Sequence, residues 1–227
     1  MSDKPEDAAA DLLIKEVDEE LRQEQLNKIW KKYANLLVAG AVAIVLGVAG
    51  WQAWRAWDGK QRLASSERFS EAARLIEQGK LDEAQPILAK LALNGAGGYR
   101  VLAAMKQASL REMTGDRDGA TALYRGIAES RDADATYRSL ALLKASYLDL
   151  DTGDLALIEK AVEPLALESS PWRHSAREIL ALAALKKGER AKAIEMFKKL
   201  ADDVAAPQGM RSRAAEMLAA EQPKAKG

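Results

Sequence analysis

The segment that decides the fold reads Tyr33-Ala-Asn-Leu-Leu-Val-Ala-Gly-Ala-Val-Ala-Ile-Val-Leu-Gly-Val-Ala-Gly-Trp-Gln-Ala-Trp54. It contains no charged residue and, as one helix, is long enough to cross a bilayer hydrocarbon core of about 30 Å. Aromatic side chains flank it where rings favour the headgroup boundary, at Trp30, Tyr33, Trp51, Trp54 and Trp57. We therefore interpret residues 33–54 as a single transmembrane helix.

A cleaved signal peptide and a buried globular helix are the alternatives for an apolar segment near the N-terminus. Thirty-two residues precede the segment, nine of them acidic. A secretory signal instead begins with a short basic region and has an apolar core of about 7 to 15 residues. The uncharged length also disfavours a buried helix.

The N-terminal region divides into two parts. Residues 1–10 are polar and aperiodic, and we predict a disordered tail. Residues 11–32 carry apolar side chains at helical spacing, which predicts an amphipathic juxtamembrane helix. This helix is either simply solvated, or its apolar stripe meets a partner or the membrane surface.

The basic residues on either side of the predicted membrane segment indicate its orientation only weakly. Lys28, Lys31 and Lys32 lie close to its N-terminal end, whereas only Arg55 is as close on the other side. Because basic residues favour the cytoplasmic side, we expect a cytoplasmic N-terminus and a C-terminal domain outside.

Small residues recur every four positions inside the membrane segment, at Ala39, Ala43 and Gly47. They share one helix face, where a second helix can approach closely. The pattern predicts helix packing through this face. The alternative is that these residues merely fill a single-span helix.

Composition limits the chemistry of the chain. Thirty-four basic residues balance 34 acidic ones, which gives no reason to expect nucleic acid as a partner. Cysteine is absent and histidine occurs once, so the sequence offers no disulfide, thiol nucleophile or spaced metal-ligand set. A glycine-rich phosphate loop is missing as well. We predict a protein that is not an enzyme and needs no cofactor or metal.

The remainder of the chain is rich in alanine and leucine and repeats at a fixed period. Four turn glycines follow each other after 36, 38 and 35 residues, close to the tetratricopeptide period of 34. Five, nine and twelve residues after each glycine come small or apolar positions, and seven residues before it a small one. The four sets are Ala72, Gly79, Ala84, Leu88, Leu91; Ala108, Gly115, Ala120, Tyr124, Ile127; Ser146, Gly153, Ile158, Val162, Leu165; and Ala181, Gly188, Ala193, Phe197, Leu200.

This period predicts an all-α fold, in which a single N-terminal transmembrane helix is followed by a tetratricopeptide-like α-solenoid. Each helix pair buries its apolar face against its neighbours. We place the repeats at residues 60–206, a capping helix at 207–220 and a disordered tail at 221–227. The set around Gly153 matches the period least well.

Turn residues refine these boundaries. Asp116 and Asp154 are predicted to lie at the start of second helices, where the helix dipole favours an acid. Ser170 is predicted as an N-cap with Pro171 at the first helical position. Pro86 is expected in the first turn of its helix, and residues 94–98 form a loop.

The predicted binding surface is the concave face, which first helices line in such stacks. The register assigns to it Phe69, Ala73, Ile76, Met105, Ser109, Glu112, Leu143, Tyr147, Glu178 and Leu182. We expect this mostly apolar row to recognise apolar segments or a partner helix. The alternative for each residue is burial between helices. His174 is expected to be structural or exposed.

Three stretches carry a family resemblance. They read Val17-Asp-Glu-Glu-Leu-Arg-Gln-Glu-Gln-Leu26, Lys28-Ile-Trp-Lys-Lys-Tyr33 and Pro171-Trp-Arg-His-Ser-Ala-Arg-Glu178. With one membrane span and divergent repeats, the chain resembles the YfgM-like ancillary subunits of the bacterial SecYEG translocon over nearly its full length.

The resemblance implies a bacterial inner-membrane protein with a periplasmic repeat domain. Its implied partners are the SecYEG translocon, a membrane-anchored periplasmic folding factor and emerging polypeptides. Two alternatives stay open, a scaffold of another envelope complex and a negative regulator that sequesters a signalling protein.

Overall fold

The computed structural model describes residues 5–221, with side chains at Lys28 and from Trp30 onward. Every element of regular secondary structure in these residues is a helix, as the sequence predicts. The helices are α1 Pro5–Glu77, α2 Leu81–Asn94, α3 Tyr99–Met113, α4 Arg117–Glu129, α5 Ala135–Asp149, α6 Leu155–Val162, a 3₁₀ helix Glu163–Ala166, α7 Arg173–Lys186, α8 Arg190–Asp202 and α9 Gln208–Glu221. The chain forms two compact units that divide after Gly59.

The N-terminal unit consists of the first part of α1. This helix begins at Pro5, so residues 5–10 are helical and not the disordered tail expected there. Residues 1–4 lie outside the described part of the chain. The helical signal from Asp11 onward extends backwards because Ala8, Ala9 and Ala10 are strong helix formers.

The apolar segment is part of α1 and is exposed along its length. A helix from Trp30 onward is long and apolar enough to span a membrane, and none of its apolar window is buried. Leu36, Ile44 and Leu46 are each at least 67% exposed. A core helix of a globular protein would bury these side chains, so the segment is not packed as a core helix and is long enough to be a membrane span.

The second unit repeats one construction, a first helix, a tight turn and a second helix. The first helices are the end of α1, then α3, α5 and α7, and the second helices are α2, α4, α6 and α8. The small and apolar register positions predicted from sequence are buried in all four repeats, except that Leu165 is half-buried. Each repeat thus contributes one layer of a continuous core.

Three of the four turns are closed by a left-handed glycine. Gly79, Gly115 and Gly188 have φ values of 75°, 85° and 78°. In each case the next residue's N–H donates a hydrogen bond of 2.9 Å to the carbonyl five residues earlier. This is the Schellman arrangement, which satisfies the last carbonyls of the first helix and requires a residue without a Cβ penalty.

The third turn is built differently, as its weaker sequence match suggests. Gly153 is absent from the left-handed glycines of residues 5–221, and its N–H donates to the Asp149 carbonyl at 2.7 Å. The following helix α6 is only eight residues long, because Pro164 lacks the N–H that would continue it. The chain continues as the 3₁₀ helix.

The predicted acidic helix starts are confirmed. Asp116 caps α4 by accepting a hydrogen bond from the Gly119 N–H at 2.9 Å. Asp154 caps α6 by accepting from the N–H groups of Ala156 and Leu157, at 2.8 and 3.3 Å. Each carboxylate satisfies amides that have no partner inside the helix.

Two predicted helix features are wrong in detail. Pro86 lies inside α2, beyond its first turn, so the helix lacks one internal hydrogen bond there. Ser170 does not cap α7, which begins at Arg173. Its hydroxyl instead accepts from the Trp172 N–H at 3.1 Å and stabilises the turn before the helix.

The repeat domain ends with helix α9, Gln208–Glu221. Helix α9 packs on α8 through Ala214, which is 1% exposed and joins Phe197 and Leu200 in one core cluster. The helix therefore covers the last repeat in the way a cap is expected to. Residues 222–227, which include most of the predicted disordered tail, lie outside the described residues.

Candidate protein-interaction surface

The predicted binding residues lie on the first helices of the four repeats, and we call them the inner row. They are Phe69, Ala73 and Ile76 on α1, Met105, Ser109 and Glu112 on α3, Leu143 and Tyr147 on α5, and Glu178 and Leu182 on α7. Their register places them beside the small residues that pack against the second helices. Their exposure differs from one helix to the next.

The part of the inner row on α1 belongs largely to the core. Phe69 and Ile76 are half-buried and pack against the cluster that contains Leu88 and Leu91. The Phe69 ring also lies 6.0 Å from the Tyr99 ring at a tilt of 55°. These contacts hold α1 on α2 and α3, and leave only their outer edges for a partner.

The row on α3 combines an apolar and an acidic end. Met105 is half-buried against the core cluster of the second repeat. Glu112 accepts hydrogen bonds from the Tyr124 hydroxyl at 3.2 Å and from Lys144 Nζ at 3.4 Å. Burial raises the pKa of Tyr124, and the negative Glu112 raises it further. The phenol therefore remains a neutral donor to the carboxylate.

The row on α5 contains one buried and one exposed residue. Leu143 is 5% exposed and packs inside the core of the third and fourth repeats, so it presents no surface to a partner. Tyr147 is 53% exposed. Leu143 is buried because α7 packs against its side of α5, which the register alone does not reveal.

The row on α7 is engaged by the capping helix. Glu178 accepts two hydrogen bonds from Arg213 of α9, at 2.8 and 3.0 Å. The bidentate hydrogen bond to Glu178 raises the pKa of Arg213, and Tyr147 adds a smaller electrostatic contribution. The expectation of a mostly apolar row is therefore incomplete, because Glu112 and Glu178 make it partly ionic.

Ion pairs about one repeat apart connect successive repeats, and the last repeat with the capping helix α9. Sequence reasoning missed these pairs. Lys144 pairs with Glu112, Lys186 with Asp151 at 2.6 Å, and Arg213 with Glu178. Opposite charges 32 or 35 residues apart were the available signal. These pairs are half-exposed and contribute modestly to stability.

The hydrogen bond from Lys186, the charge of Lys186 and the nearby Arg117 together lower the pKa of Asp151. Asp151 also accepts a hydrogen bond from Arg117 at 3.2 Å. One carboxylate thus joins the second, third and fourth repeats at the edge of the inner row.

The three small residues predicted to pack against a second helix are exposed on the apolar segment. Ala39, Ala43 and Gly47 lie on α1 at helical spacing, and a Cβ added at Gly47 would meet no other atom within 4 Å. Space for a closely packed helix therefore exists on this face. Helix packing there stays a prediction.

His174 and the acidic side chains are the possible metal ligands among the described residues. Among them no group of three histidine, cysteine or acidic side chains is arranged to hold a metal ion. His174 is buried at 7% exposure, with Nδ1 3.4 Å from Asp203 Oδ2, which places it in the packing between α7 and the segment after α8.

Comparison with known proteins gives one family. A model of the tetratricopeptide repeat-like domain matches residues 27–217, which include both the apolar segment and all four repeats. A search of curated proteins gives no match.

Proposed function

The chain belongs to the tetratricopeptide repeat-like domain family, and from this we propose that it is a membrane-anchored protein-interaction module that assists protein export at the bacterial inner membrane. Proteins of this repeat type act as scaffolds that bind other proteins, typically without catalysis. The proposal assigns the apolar part of α1 to the membrane and the repeats to partner binding. The observation that carries it is the occurrence of both parts within one family match, residues 27–217.

The exposed apolar helix supports the anchor. Its flanking rings Trp30, Trp51 and Trp54 are 63%, 60% and 55% exposed, and those of Trp51 and Trp54 lie 5.5 Å apart. Such rings favour the lipid headgroup region. The cluster of Lys28, Lys31 and Lys32 supports an N-terminus in the cytoplasm and a repeat domain in the periplasm.

The exposed part of the inner row supports partner binding. Tyr147 is the most exposed aromatic residue of the row, and Ser109 and Leu182 are half-buried on neighbouring first helices. Aromatic side chains with one exposed face are frequent contact residues at protein interfaces. The ion pairs of Glu112 and Glu178 supply a polar border.

The partner class rests on the resemblance to YfgM-like subunits. This resemblance implies the SecYEG translocon and a membrane-anchored periplasmic folding factor as partners, and emerging polypeptides as clients. An anchored repeat domain beside a translocon would keep a binding surface close to chains that leave the channel.

Site-specific photocrosslinking in intact cells tests this proposal. A photoreactive amino acid replaces Tyr147 in the full chain, and the matched control carries it at Leu157, which is 64% exposed on the second helix of the same repeat. We expect translocon subunits or exported polypeptides to be captured from position 147 and not from 157. Products are identified by mass spectrometry after isolation in mild detergent.

Other crosslinking results would contradict either the proposed partners or the proposed binding surface. Capture of a fixed envelope assembly without translocon subunits would favour the scaffold alternative, and capture of a signalling protein the regulatory one. Equal capture from both positions would exclude the inner row as the binding surface. A reporter that functions only in the cytoplasm can be fused after Gly227. Activity of this fusion would overturn the proposed orientation, in which the C-terminal domain is periplasmic.

A further inference from the structure

The second helix of the third repeat buries fewer side chains than the other second helices. We call residues 155–166, which form α6 and the 3₁₀ helix, the α6 segment. Helix α6 buries Ile158 and Val162, and the four residues of the 3₁₀ helix are exposed or half-buried. The other second helices bury three or four side chains each, namely Ala84, Leu88 and Leu91 on α2, Ala120, Thr121, Tyr124 and Ile127 on α4, and Ala193, Phe197 and Leu200 on α8. Burial therefore stabilises the α6 segment least.

The connections at both ends of the α6 segment are long. Three residues join the two helices inside the first, second and fourth repeats, whereas five residues, 150–154, join α5 to α6. Six residues, 167–172, join the 3₁₀ helix to α7, against four and five in the two preceding connections between repeats. Because loop residues absorb changes in φ and ψ, the α6 segment can move without displacing α5 or α7.

The side of the α6 segment that faces α8 is not filled. A cavity of about 560 Å³ lies between the 3₁₀ helix and α8. Ala166 and Leu167 line it on one side, and Met196 and Leu200 of α8 on the other. Side chains beside such a gap lose the dispersion contacts that a packed neighbour would supply.

Polar contacts with the fourth repeat hold the α6 segment in place. Glu159 pairs with Lys187 at 2.8 Å and with Lys192 at 3.7 Å. Arg177 of α7 donates a hydrogen bond to the Ala166 carbonyl at 3.2 Å. The two lysine side chains are 31% and 54% exposed, so solvent screens these ion pairs and each stabilises only modestly.

Sparse burial, long connections, an adjoining cavity and screened ion pairs thus coincide in one element. Proteins open in local units, and the elements with the fewest buried apolar contacts open most easily. We propose that the α6 segment opens locally about its two connections while the other repeats stay folded, and that the ion pairs of Glu159 restrain it. Opening uncovers the apolar cluster to which Val162 belongs, including Ile179 and Ala183 of α7. The repeat domain then exposes and covers an apolar surface without unfolding as a whole.

Hydrogen exchange of the full chain in nanodiscs of zwitterionic lipid tests the opening. Mass spectrometry compares the amides of residues 158–163 in α6 with those at the same register in α4 and α8, residues 120–125 and 193–198. We expect at least about tenfold faster exchange in α6, because the local opening breaks its hydrogen bonds and leaves those of the other two helices intact.

A single introduced thiol distinguishes opening of the whole segment from fraying of a short helix. The chain contains no cysteine, so Val162→Cys carries one thiol at a position that is 0% exposed. Leu88→Cys is the matched control, at the same register of the first repeat and also 0% exposed. It removes a larger side chain, so lost packing alone would favour reaction at position 88. We expect a maleimide to react at least about tenfold faster with Val162→Cys than with Leu88→Cys.

The restraint by Glu159 is tested in the Val162→Cys chain. Glu159→Gln removes both ion pairs and should speed the maleimide reaction about two- to fivefold. Glu195→Gln, which removes the Glu195–Lys199 pair within α8, should leave the rate unchanged. A rate that Glu159→Gln does not alter would contradict the restraint.

Three results would overturn the local opening. Equal reaction at positions 162 and 88, with equal exchange in the three helices, would show that the repeat domain opens only as a whole. Fast exchange of residues 158–163 with slow reaction of Val162→Cys would show that α6 frays while its core position stays covered. Fast reaction of Val162→Cys with slow exchange in the parent chain would attribute the opening to the substitution.

Discussion

The second and third repeats share one register but close their turns differently. The second uses left-handed Gly115 with the Schellman hydrogen bonds, and its second helix has 13 residues. The third closes at Gly153 without that conformation, and its second helix has eight residues before the 3₁₀ helix. Burial at the register positions therefore maintains the stack even where the turn departs from the pattern.

The largest expected difference lies at one register position, which holds Tyr124 in the second repeat and Val162 in the third. They are 1% and 0% exposed. We expect Tyr124→Ala to lower the free energy of unfolding by about 3–5 kcal/mol and Val162→Ala by about 2 kcal/mol, since the cavities differ in size. Urea unfolding of the full chain in detergent, followed by circular dichroism, measures both. Equal losses would show that the third repeat contributes as much core as the second.

The turn glycines give the next largest effect and separate two physical causes. Gly115→Ala should cost about 1–2 kcal/mol because of its left-handed φ, while space for a Cβ is free. Gly115→Asn should recover part of this loss, because asparagine tolerates that conformation.

At Gly153 a Cβ would lie 2.8 Å from the Asp149 carbonyl oxygen. Gly153→Ala and Gly153→Asn should therefore both destabilise the chain, with no advantage for asparagine. Thermal unfolding of the four variants tests this contrast. An asparagine advantage at position 153 would show that the two turns share one mechanism.

The N-caps should differ by a smaller amount. Asp116→Ala leaves one backbone N–H without its acceptor and Asp154→Ala leaves two, so we expect losses of about 1 kcal/mol and somewhat more, respectively. The corresponding asparagine variants keep an acceptor and should retain most of the stability. Urea midpoints of the four variants measure the difference, and a smaller loss at Asp154 than at Asp116 would contradict it.

The smallest effect concerns the dependence on pH at Asp151. Lys186 and Arg117 lower its pKa in the folded chain below the ordinary value of 3.8. Its stabilising contribution is therefore complete above about pH 4 and is lost as the pH falls through the lowered pKa. Asp151→Asn should flatten the decline of the melting temperature in this acidic range, while Asp118→Asn, an exposed carboxylate of α4, serves as the control. Identical slopes in the parent and Asp151→Asn would show that the carboxylate does not connect the repeats energetically.

The sequence predicted most of the fold because its signals were local. A glycine that ends a helix and the small residue seven positions before it act within one helical pair, and Gly79, Gly115 and Gly188 all behave as expected. Pro86 and Ser170 were placed wrongly within their helices, because a helix boundary depends on packing beyond the nearest residues. The residues that shape the inner row depended on distant contacts, as the burial of Leu143 under α7 and the Glu178–Arg213 pair show.

The tryptophans give the molecule two separate optical reporters. Trp30, Trp51, Trp54 and Trp57 flank the apolar segment and are at least 55% exposed, whereas Trp172, the fifth of five, is half-buried against the core of the third and fourth repeats. Emission from the intact chain should therefore respond chiefly to the surroundings of the apolar segment. Replacing the four flanking indoles with phenylalanine would leave Trp172 as a single fluorophore, whose spectrum follows the opening of the repeats alone.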